Sequence, residues 1–304
     1  MNGDDKFVSD LSDDIENYVP ETNKTVEKYF GSIDNKVRIQ LQTAEGRNNK
    51  EGGFGTVSII DLSVLDASPA PFYVKKIHKD NIIINERNKK TILDKIYNEI
   101  KSIYKEISIN IDVTKKIPDC VSKCKGGYIY YNIENKYISY VAYIVFEYLP
   151  GFSLADYLFR YRKNKPIPNS EQIITNIDHC IKALHSIDYV HRDIKPENIF
   201  IVSNNKISDD AIIIEKCILI DFGESFRIGE KLNINFENIK GNDRYNPFLK
   251  EDPGKLTWVR GITPVSTSEN IKALTYMKEE PLQYGFKRGG KTYKKRKTRR
   301  FRKQ

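Results

Sequence analysis

The chain has 304 residues, of which 39% are hydrophobic and 30% are charged, and its formal net charge is +9. A chain of this size can build one large domain or two small lobes around a substantial core. Its longest apolar run, ISYVAYIVFEYL, contains Glu147 and falls short of the roughly 20 residues that cross a bilayer, which argues against a membrane protein.

The first 35 residues are acidic and polar with weak periodicity, and we expect them to form a poorly ordered leader rather than a secretory signal. Four cysteines are too few for a disulfide framework in a chain of this length. Cys120 and Cys124 are not followed by a second pair at zinc-ligand spacing, so we interpret the cysteines as ordinary buried or hairpin thiols. These features favour an intracellular, non-secreted protein of the cytoplasm or nucleus.

From residue 36 onward the chain predicts an antiparallel sheet. Short runs rich in β-branched and aromatic residues are separated by Gly-, Asn- and Pro-containing connections, a composition typical of strands. The runs are VSIIDL, PFYVKKI, GYIYYNI and KYISYVAYIVFEY. One helix is predicted over about residues 89–107, where an apolar stripe recurs at three- and four-residue spacing: Ile96, Ile100, Ile103 and Ile107.

After Pro150 the pattern becomes helical. Residues 153–164 and 170–190 are candidate helices, the second with Ser170 as a plausible N-cap. The apolar stripe of the second helix consists of Ile173, Ile177, Ile181 and Leu184. NIFIV and CILIDF follow as short strands, so the sequence predicts an α+β fold with a strand-rich lobe and a helical lobe.

Four motifs occur in a fixed order along the chain: KEGGFGTV, PFYVKKI, YVHRDIKPENIFI and ILIDFGES. Together they resemble the glycine-rich loop, the lysine strand, the catalytic loop and the Asp-Phe-Gly segment of the eukaryotic-type protein kinases. The resemblance extends from about residue 36 to about residue 250 and implies a bilobal fold. The Lys195-Pro196-Glu197 variant of the catalytic loop is similar to that of the serine/threonine branch.

The resemblance implies a role for each polar motif residue in phosphoryl transfer from ATP. Asp193 would accept the proton of the substrate hydroxyl, and Lys195 would stabilise charge on the transferring group. Asn198 and Asp221 would offer oxygen ligands to Mg2+. Lys75 would contact the α- and β-phosphates while it pairs with a glutamate of the helix.

For that glutamate we choose Glu99, with Glu106 further along the helix as the alternative. The resemblance also implies that His191 and Phe222 stack with Ile103 in a spine that links the two lobes.

The remaining nucleotide contacts are expected from the glycine-rich loop and from the connection between the lobes. The loop residues that would cover the phosphates are Gly52, Gly53, Phe54, Gly55 and Val57. Phe146 would guard the back of the adenine pocket, the backbone of Glu147 and Leu149 would bind adenine, and Ser153 would lie near the ribose.

The sequence departs from the family at three places. Lys50 stands where the loop should have its first glycine. The end of the activation segment matches only weakly, at GNDRYNPF or at GITPVSTSEN, and the usual tryptophan-containing helix with its buried Asp is not recognisable. Few residues then remain, so we expect a shortened helical lobe. The resulting boundaries are 36–148 for the first lobe and 149–286 for the second.

Residues 287–304 form a basic tail of eleven Lys and Arg residues without an acid. Because the tail carries +11 and the whole chain +9, the other 286 residues sum to −2. GFKRGGKT fits a phosphate-loop pattern, but it lacks a buried strand before it and a helix after it. We expect a disordered arm that is either a solubilising end or a docking segment for nucleic acid, an acidic partner or an import receptor.

The sequence therefore favours a serine/threonine protein kinase that uses ATP and Mg2+ on a protein substrate. The alternatives are a pseudokinase or scaffold with the same fold, and a small-molecule kinase. The abundance of Ile, Asn, Lys and Tyr, the compact lobe and the basic tail resemble kinases of large DNA viruses, in which case the protein could also be packaged in a virion.

Overall fold

The computed structural model describes residues 7, 9–13, 23–44, 46–52, 55–62, 65, 71–85, 87–134, 137–160, 167–207, 212–234, 249–252, 255–258, 261–264 and 268–279. In chain order the elements are β1 (Asn23–Gly31), α1 (Asn35–Thr43), β2 (Arg47–Gly52), β3 (Gly55–Asp61), β4 (Pro71–Ile83), α2 (Lys89–Lys116), β5 (Cys124–Glu134), β6 (Tyr137–Glu147), β7 (Gly151–Ser153), α3 (Leu154–Arg160), α4 (Ser170–Ser186), β8 (Tyr189–Val190), β9 (Ile199–Val202), β10 (Lys216–Leu219), β11 (Phe226–Arg227), β12 (Lys231–Ile234), β13 (Leu249–Asp252), β14 (Lys255–Trp258), β15 (Gly261–Pro264) and α5 (Ser268–Glu279). The predicted α+β class is confirmed.

The first half of the chain forms a six-stranded antiparallel sheet in the order β1-β5-β6-β4-β3-β2. Its strands contain the β-branched and aromatic runs that predicted them. In the register of the central pair, Lys75 lies opposite Ile144 and Tyr73 lies opposite Phe146. The strand order places β4, which contains Lys75, between the β2–β3 hairpin on one side and β6, which leads to the second half, on the other.

Strand β1 corrects the expectation of a poorly ordered leader for residues 23–31. It pairs along its whole length with β5, and the rings of Tyr29 and Tyr128 lie 5.0 Å apart. Phe7 and Leu11, still earlier in the chain, are buried in the cluster that contains Phe30 of β1. The sequence pattern missed β1 because it is an edge strand and most of its side chains are exposed, so the two-residue apolar alternation is weak.

The sheet is covered on both faces. Helix α2 buries the predicted isoleucine stripe against one face, and α1 buries Val37 and Leu41 against the other. Asp34 caps α1, because its carboxylate accepts a hydrogen bond of 2.9 Å from the N–H of Val37.

Helix α2 continues nine residues beyond its predicted end at residue 107, to Lys116. The added segment, SINIDVTKK, is rich in β-branched and Asn residues of modest helix propensity, which hid it from the sequence pattern. Ile109 and Val113 of this segment belong to the core of the second half, so one helix is shared by both halves of the molecule.

The second half packs α3, α4 and α5 around the small sheet β10-β9-β7. The predicted stripe of α4 is buried, but the predicted Ser170 cap is wrong. The N-cap is Asn169, whose φ of 57° ends the preceding turn, and no side-chain cap bond forms there. The helix stops at Ser186 rather than at residue 190, because Tyr189 and Val190 form strand β8 against β11.

The C-terminal elements are short paired strands and one helix. Strand β12 pairs with β15, and β13 pairs with β14, which contains Trp258. Helix α5 inserts Ala273, Leu274 and Met277 into the core of the second half. The segment GNDRYNPF and residues 280–304 lie outside the described residues. None of the described helices is long and apolar enough to cross a membrane.

Candidate active site

A buried lysine joins three separate elements at the junction of the two halves. The Lys75 ammonium on β4 lies 2.6 Å from Oε1 of Glu106 on α2 and 3.1 Å from Oδ1 of Asp221, which follows β10. The lysine and Glu106 side chains are only 12% and 7% exposed. We call these three residues the lysine cluster.

The electrostatics of the lysine cluster keep Lys75 positively charged. Burial alone would lower the pKa of Lys75, but the Glu106 and Asp221 carboxylates outweigh it and hold that pKa above its ordinary value. Burial would raise the pKa of Asp221, yet the neighbouring Lys75 lowers it below its usual range. The cluster therefore presents a charged ammonium beside an ionised carboxylate.

The structure corrects the choice of Glu99 as the partner of Lys75. Glu99 lies 2.6 Å from Nζ of Lys79 instead, and it accepts a hydrogen bond of 2.7 Å from the Tyr140 hydroxyl. Lys75 and Lys79 share a face of β4 and are about 13 Å apart along it, while Glu99 and Glu106 are about 10 Å apart along α2. Two ion pairs thus link the strand to the helix, and residue spacing alone does not tell which one faces the site.

The glutamate that pairs with Lys75 lies about two helical turns further along α2 than expected, and the residues of α2 that pack near Phe222 change accordingly. The His191 and Phe222 rings are in contact, with centroids 4.8 Å apart, but they are tilted by 53° rather than stacked. Ile103 belongs to the core between α2 and the sheet. Phe222 instead shares a buried cluster with Ile109 and Val113 of α2.

The catalytic-loop motif holds its aspartate from two sides. The amide nitrogen of Asn198 donates to the carbonyl oxygen of Asp193 at 2.9 Å and to its carboxylate Oδ2 at 2.8 Å. The Lys195 ammonium contacts the same carboxylate oxygen. The short 3-10 turn Pro196–Asn198 brings Asn198 back onto the loop, so that one aspartate, one lysine and one amide converge.

His191 connects the catalytic loop to the Asp221 segment. It is fully buried, and burial lowers its pKa, so the imidazole is neutral. Its Nδ1 accepts from the N–H of Asp193 at 3.3 Å, which leaves Nε2 to donate to the Ile220 carbonyl at 3.0 Å. The N–H of Ile220 in turn donates to the carbonyl of Asn198 at 3.0 Å.

Asn270 on α5 is a positioning residue that the sequence did not reveal. It is fully buried, and its Oδ1 accepts from the backbone N–H of Arg192 at 3.0 Å. Its amide nitrogen lies 3.0 Å from Nε2 of His185, whose pKa is lowered by burial. Arg192 has a φ of 68°, a conformation that is costly for a residue other than glycine, and Asn270 fixes it beside Asp193.

A sequence signal for Asn270 does exist. Asn270, Ala273, Leu274 and Met277 follow the spacing of one helical face, and all four are buried. Helix α5 therefore supplies a buried polar side chain that holds the backbone next to Asp193.

Two glycines of the glycine-rich motif pair with each other: Gly52, the last residue of β2, and Gly55, the first residue of β3. Gly55 has a φ of 135°, and a Cβ there would lie 2.3 Å from the carbonyl oxygen of Lys76, so only glycine fits. Val57 pairs with Lys75 and is half-buried beside it. Gly53 and Phe54 lie outside the described residues.

The connection between the halves has its own contacts. Glu147 binds Lys125 at 2.7 Å through its side chain, and its N–H donates to the Lys123 carbonyl at 2.9 Å. The carbonyl of Leu149 accepts from the Tyr73 hydroxyl at 3.4 Å. Ser153 Oγ is within 2.7 Å of Asp156 Oδ2 and accepts from the Asp156 N–H, so it caps α3, and its proximity to a ribose remains a prediction.

The two ion pairs give a direct test of the corrected pairing. We expect Glu106→Gln to lower phosphate transfer from ATP roughly tenfold or more, because it removes one partner of a buried charge pair. The matched variant Glu99→Gln should change the rate by less than about fivefold, since partly exposed pairs contribute about 0–1 kcal/mol. Initial rates with labelled ATP measure both. The reverse order of sensitivity would restore Glu99 as the partner of Lys75.

A second prediction concerns Asn270. Replacement by Ala removes the Oδ1 acceptor of the partly buried Arg192 N–H and should lower the free energy of unfolding by about 1–3 kcal/mol. Backbone hydrogen exchange of residues 189–193 should accelerate beyond the change seen elsewhere in the chain. Asn176→Ala, on the exposed face of α4, is the control. Unchanged exchange at 189–193 would show that Asn270 does not position the loop.

Comparison with known proteins agrees with this geometry. The family described as "Protein kinase domain" matches residues 48–247, about two thirds of the chain. A probable serine/threonine-protein kinase of Dictyostelium discoideum is 25% identical over 69% of this chain and 45% of its own length. The serine/threonine-protein kinase unc-51 of Caenorhabditis elegans is 27% identical over 56% and 17%, respectively.

A serine/threonine-protein kinase of Candida albicans is 24% identical over 76% of this chain and 28% of its own length. The chain thus spans less than half the length of these three relatives. They are cellular proteins, so the viral source stays a prediction. The family match covers the lysine cluster and the catalytic loop together, and the chain belongs to the protein kinase domain family.

Proposed function

We propose that this kinase transfers the γ-phosphate of ATP to a serine or threonine hydroxyl of a protein substrate. The observation that carries the proposal is the lysine cluster, in which one buried ammonium meets a helix carboxylate and the carboxylate of the Asp-Phe-Gly segment. Phosphoryl transfer requires positioning and charge neutralisation rather than covalent participation of the protein. A charged Lys75 held by Glu106 supplies a fixed positive group for the phosphates of ATP.

Asp193 is proposed as the base that accepts the proton of the substrate hydroxyl. Its carboxylate is held by the Asn198 amide and by Lys195, so its orientation is set before a substrate arrives. Lys195 lies beside the same oxygen and can neutralise charge on the transferring phosphate. His191 and Asn270 hold the loop backbone on which both residues stand.

The residues present fit a magnesium ion. Mg2+ prefers oxygen ligands and is usually held by one or two carboxylates together with substrate phosphates. Asp221 offers an ionised carboxylate, and the side-chain oxygen of Asn198 offers a second donor. When bound, Mg2+ would neutralise charge on the phosphates.

The serine/threonine specificity rests on the Lys195-Pro196-Glu197 string and on the names of the three relatives. The two alternatives make different demands on the site. A scaffold would keep the fold without using Asp193, and a small-molecule kinase would use Asp193 but leave proteins unlabelled.

The proposal predicts that Asp193→Asn abolishes transfer. We expect incorporation of labelled phosphate into a generic protein substrate to fall about 100-fold or more, in the range that general-base catalysis contributes. Asp178→Asn, which removes a carboxylate from a helix surface pair with Lys182, should leave the rate unchanged. Acid hydrolysis of the product should yield phosphoserine or phosphothreonine.

Equal incorporation by the wild-type protein and Asp193→Asn would end the kinase proposal. Phosphotyrosine as the sole product would end the serine/threonine assignment alone.

A further inference from the structure

Three aromatic side chains meet at the connection between the two halves. Tyr73 comes from β4, Tyr148 follows β6, and Phe200 comes from β9 in the second half. The rings of Tyr73 and Tyr148 lie 5.0 Å apart, and those of Tyr73 and Phe200 lie 6.3 Å apart at 70°. We call these three residues the aromatic cluster.

The position of the aromatic cluster follows from strand periodicity. Tyr73 precedes Lys75 by two residues on β4, so both side chains point to the same face of the strand, about 7 Å apart along it. Phe200 follows Asn198 by two residues. Each half therefore contributes one polar residue to the expected phosphate and metal site, Lys75 or Asn198. Each half also contributes one aromatic ring beside that site, Tyr73 or Phe200, on the side of the connection between the halves.

The base of the nucleotide is expected in that neighbouring space. The backbone of residues 147–149 is the expected partner of the base, and the Tyr73 hydroxyl donates to one of its groups, the Leu149 carbonyl, at 3.4 Å. Burial, with a contribution from Tyr148, raises the pKa of Tyr73 to about 12, so the hydroxyl stays a donor at neutral pH.

The rings leave no space for a planar base between them. A centroid distance of 6.3 Å at 70° is an edge-to-face contact. A ring inserted between two parallel rings needs about 7 Å between their planes, since each stacking contact takes about 3.5 Å between atom centres. The backbone of Gly151, in the connection between the halves, also lies close to the Phe200 ring, since a Cβ on Gly151 would be 2.8 Å from it.

We propose that Tyr73 is a latch on the base-binding part of the nucleotide site. In the closed state the Tyr73 ring makes an edge-to-face contact with Phe200, and its hydroxyl donates a hydrogen bond to the Leu149 carbonyl. A nucleotide binds after the ring has swung away, so the measured affinity is the intrinsic affinity multiplied by the fraction of open molecules. The lysine cluster and Asp193 are complete in the closed state, so the latch controls access of the base and not assembly of the phosphate site.

The proposal rests on the proposed function only in that the ligand is a nucleotide. It makes a selective prediction, because the latch lowers the affinity of ligands that contain a base and leaves the affinity of ligands without a base unchanged. Adenosine and Mg-ATP should respond to changes at Tyr73, whereas Mg-tripolyphosphate should not.

Calorimetric titration of the full chain tests the latch. Tyr73→Ala should bind adenosine and Mg-ATP roughly tenfold more tightly, as expected if about a tenth of the molecules are open. Phe200→Leu, which removes the opposing ring, should shift both affinities in the same direction. Mg-tripolyphosphate should bind both variants as it binds the wild type. Tyr137→Ala, at an exposed strand position away from the cluster, is the matched control and should change nothing.

Unchanged or weaker adenosine binding in folded Tyr73→Ala and Phe200→Leu proteins would overturn the latch, since the rings would then be neutral or would support the base. Thermal melting identifies the folded variants, and Phe200→Leu carries the test if Tyr73→Ala does not fold. Phosphate transfer is measured separately. Tighter adenosine binding without any transfer would support the latch while it refutes the proposed function, and transfer with unchanged adenosine binding would do the opposite.

Discussion

The structure depends on one buried positive charge. An ammonium group taken out of water is costly unless carboxylates compensate it, and Lys75 has two of them, Glu106 and Asp221. The three residues stand on a strand, a helix and a segment of the second half, and they meet where α2 packs against both the sheet and the second half. Displacing any one of these elements would leave a buried charge without its partner, so the ion pairs add a precise restraint to the apolar packing of the sheet, α2 and the second half.

Buried polar contacts then fix the catalytic loop against this frame. Arg192 and Asp221 both have positive φ values, 68° and 66°, which cost energy in residues other than glycine. Such conformations persist only where the surroundings hold them. Asn270 binds the N–H of Arg192, and His191 joins the loop to Ile220, the residue before Asp221. Two of the positive φ values of non-glycine residues therefore lie beside Asp193 and in the Asp-Phe-Gly segment, and α5 provides part of the restraint on the first of them.

The sequence predicted the features that depend on local pattern. The α+β class, the isoleucine stripe of α2 and the convergence of Asp193 with Asn198 all follow from periodicity or from contiguous motifs. The choice between Glu99 and Glu106 did not, because both glutamates face β4 and each meets a lysine there. That choice depends on how far the helix is shifted along the strand, which is a tertiary property.

Other features were hidden for different physical reasons. Strand β1 is an exposed edge strand whose pairing partner is about 100 residues away, so its pattern is weak. Asn270 acts through a backbone contact 78 residues away. An aromatic residue such as Tyr73 is typical of a strand, so the sequence pattern gives it no special role. The proposed role of Tyr73 comes from its contact with Phe200 of the second half. Features made by two distant segments are those that a linear pattern does not predict.

The central claim is that the lysine cluster and the catalytic loop form one nucleotide–metal site. Its most direct test is a crystal structure of the full chain with Mn2+ and a non-hydrolysable ATP analogue, with the metal located by its anomalous scattering. The account predicts a metal peak bonded to Asp221 and Asn198, with the Lys75 ammonium on the phosphates. A metal and triphosphate bound elsewhere, for instance at the GFKRGGKT segment, would contradict it.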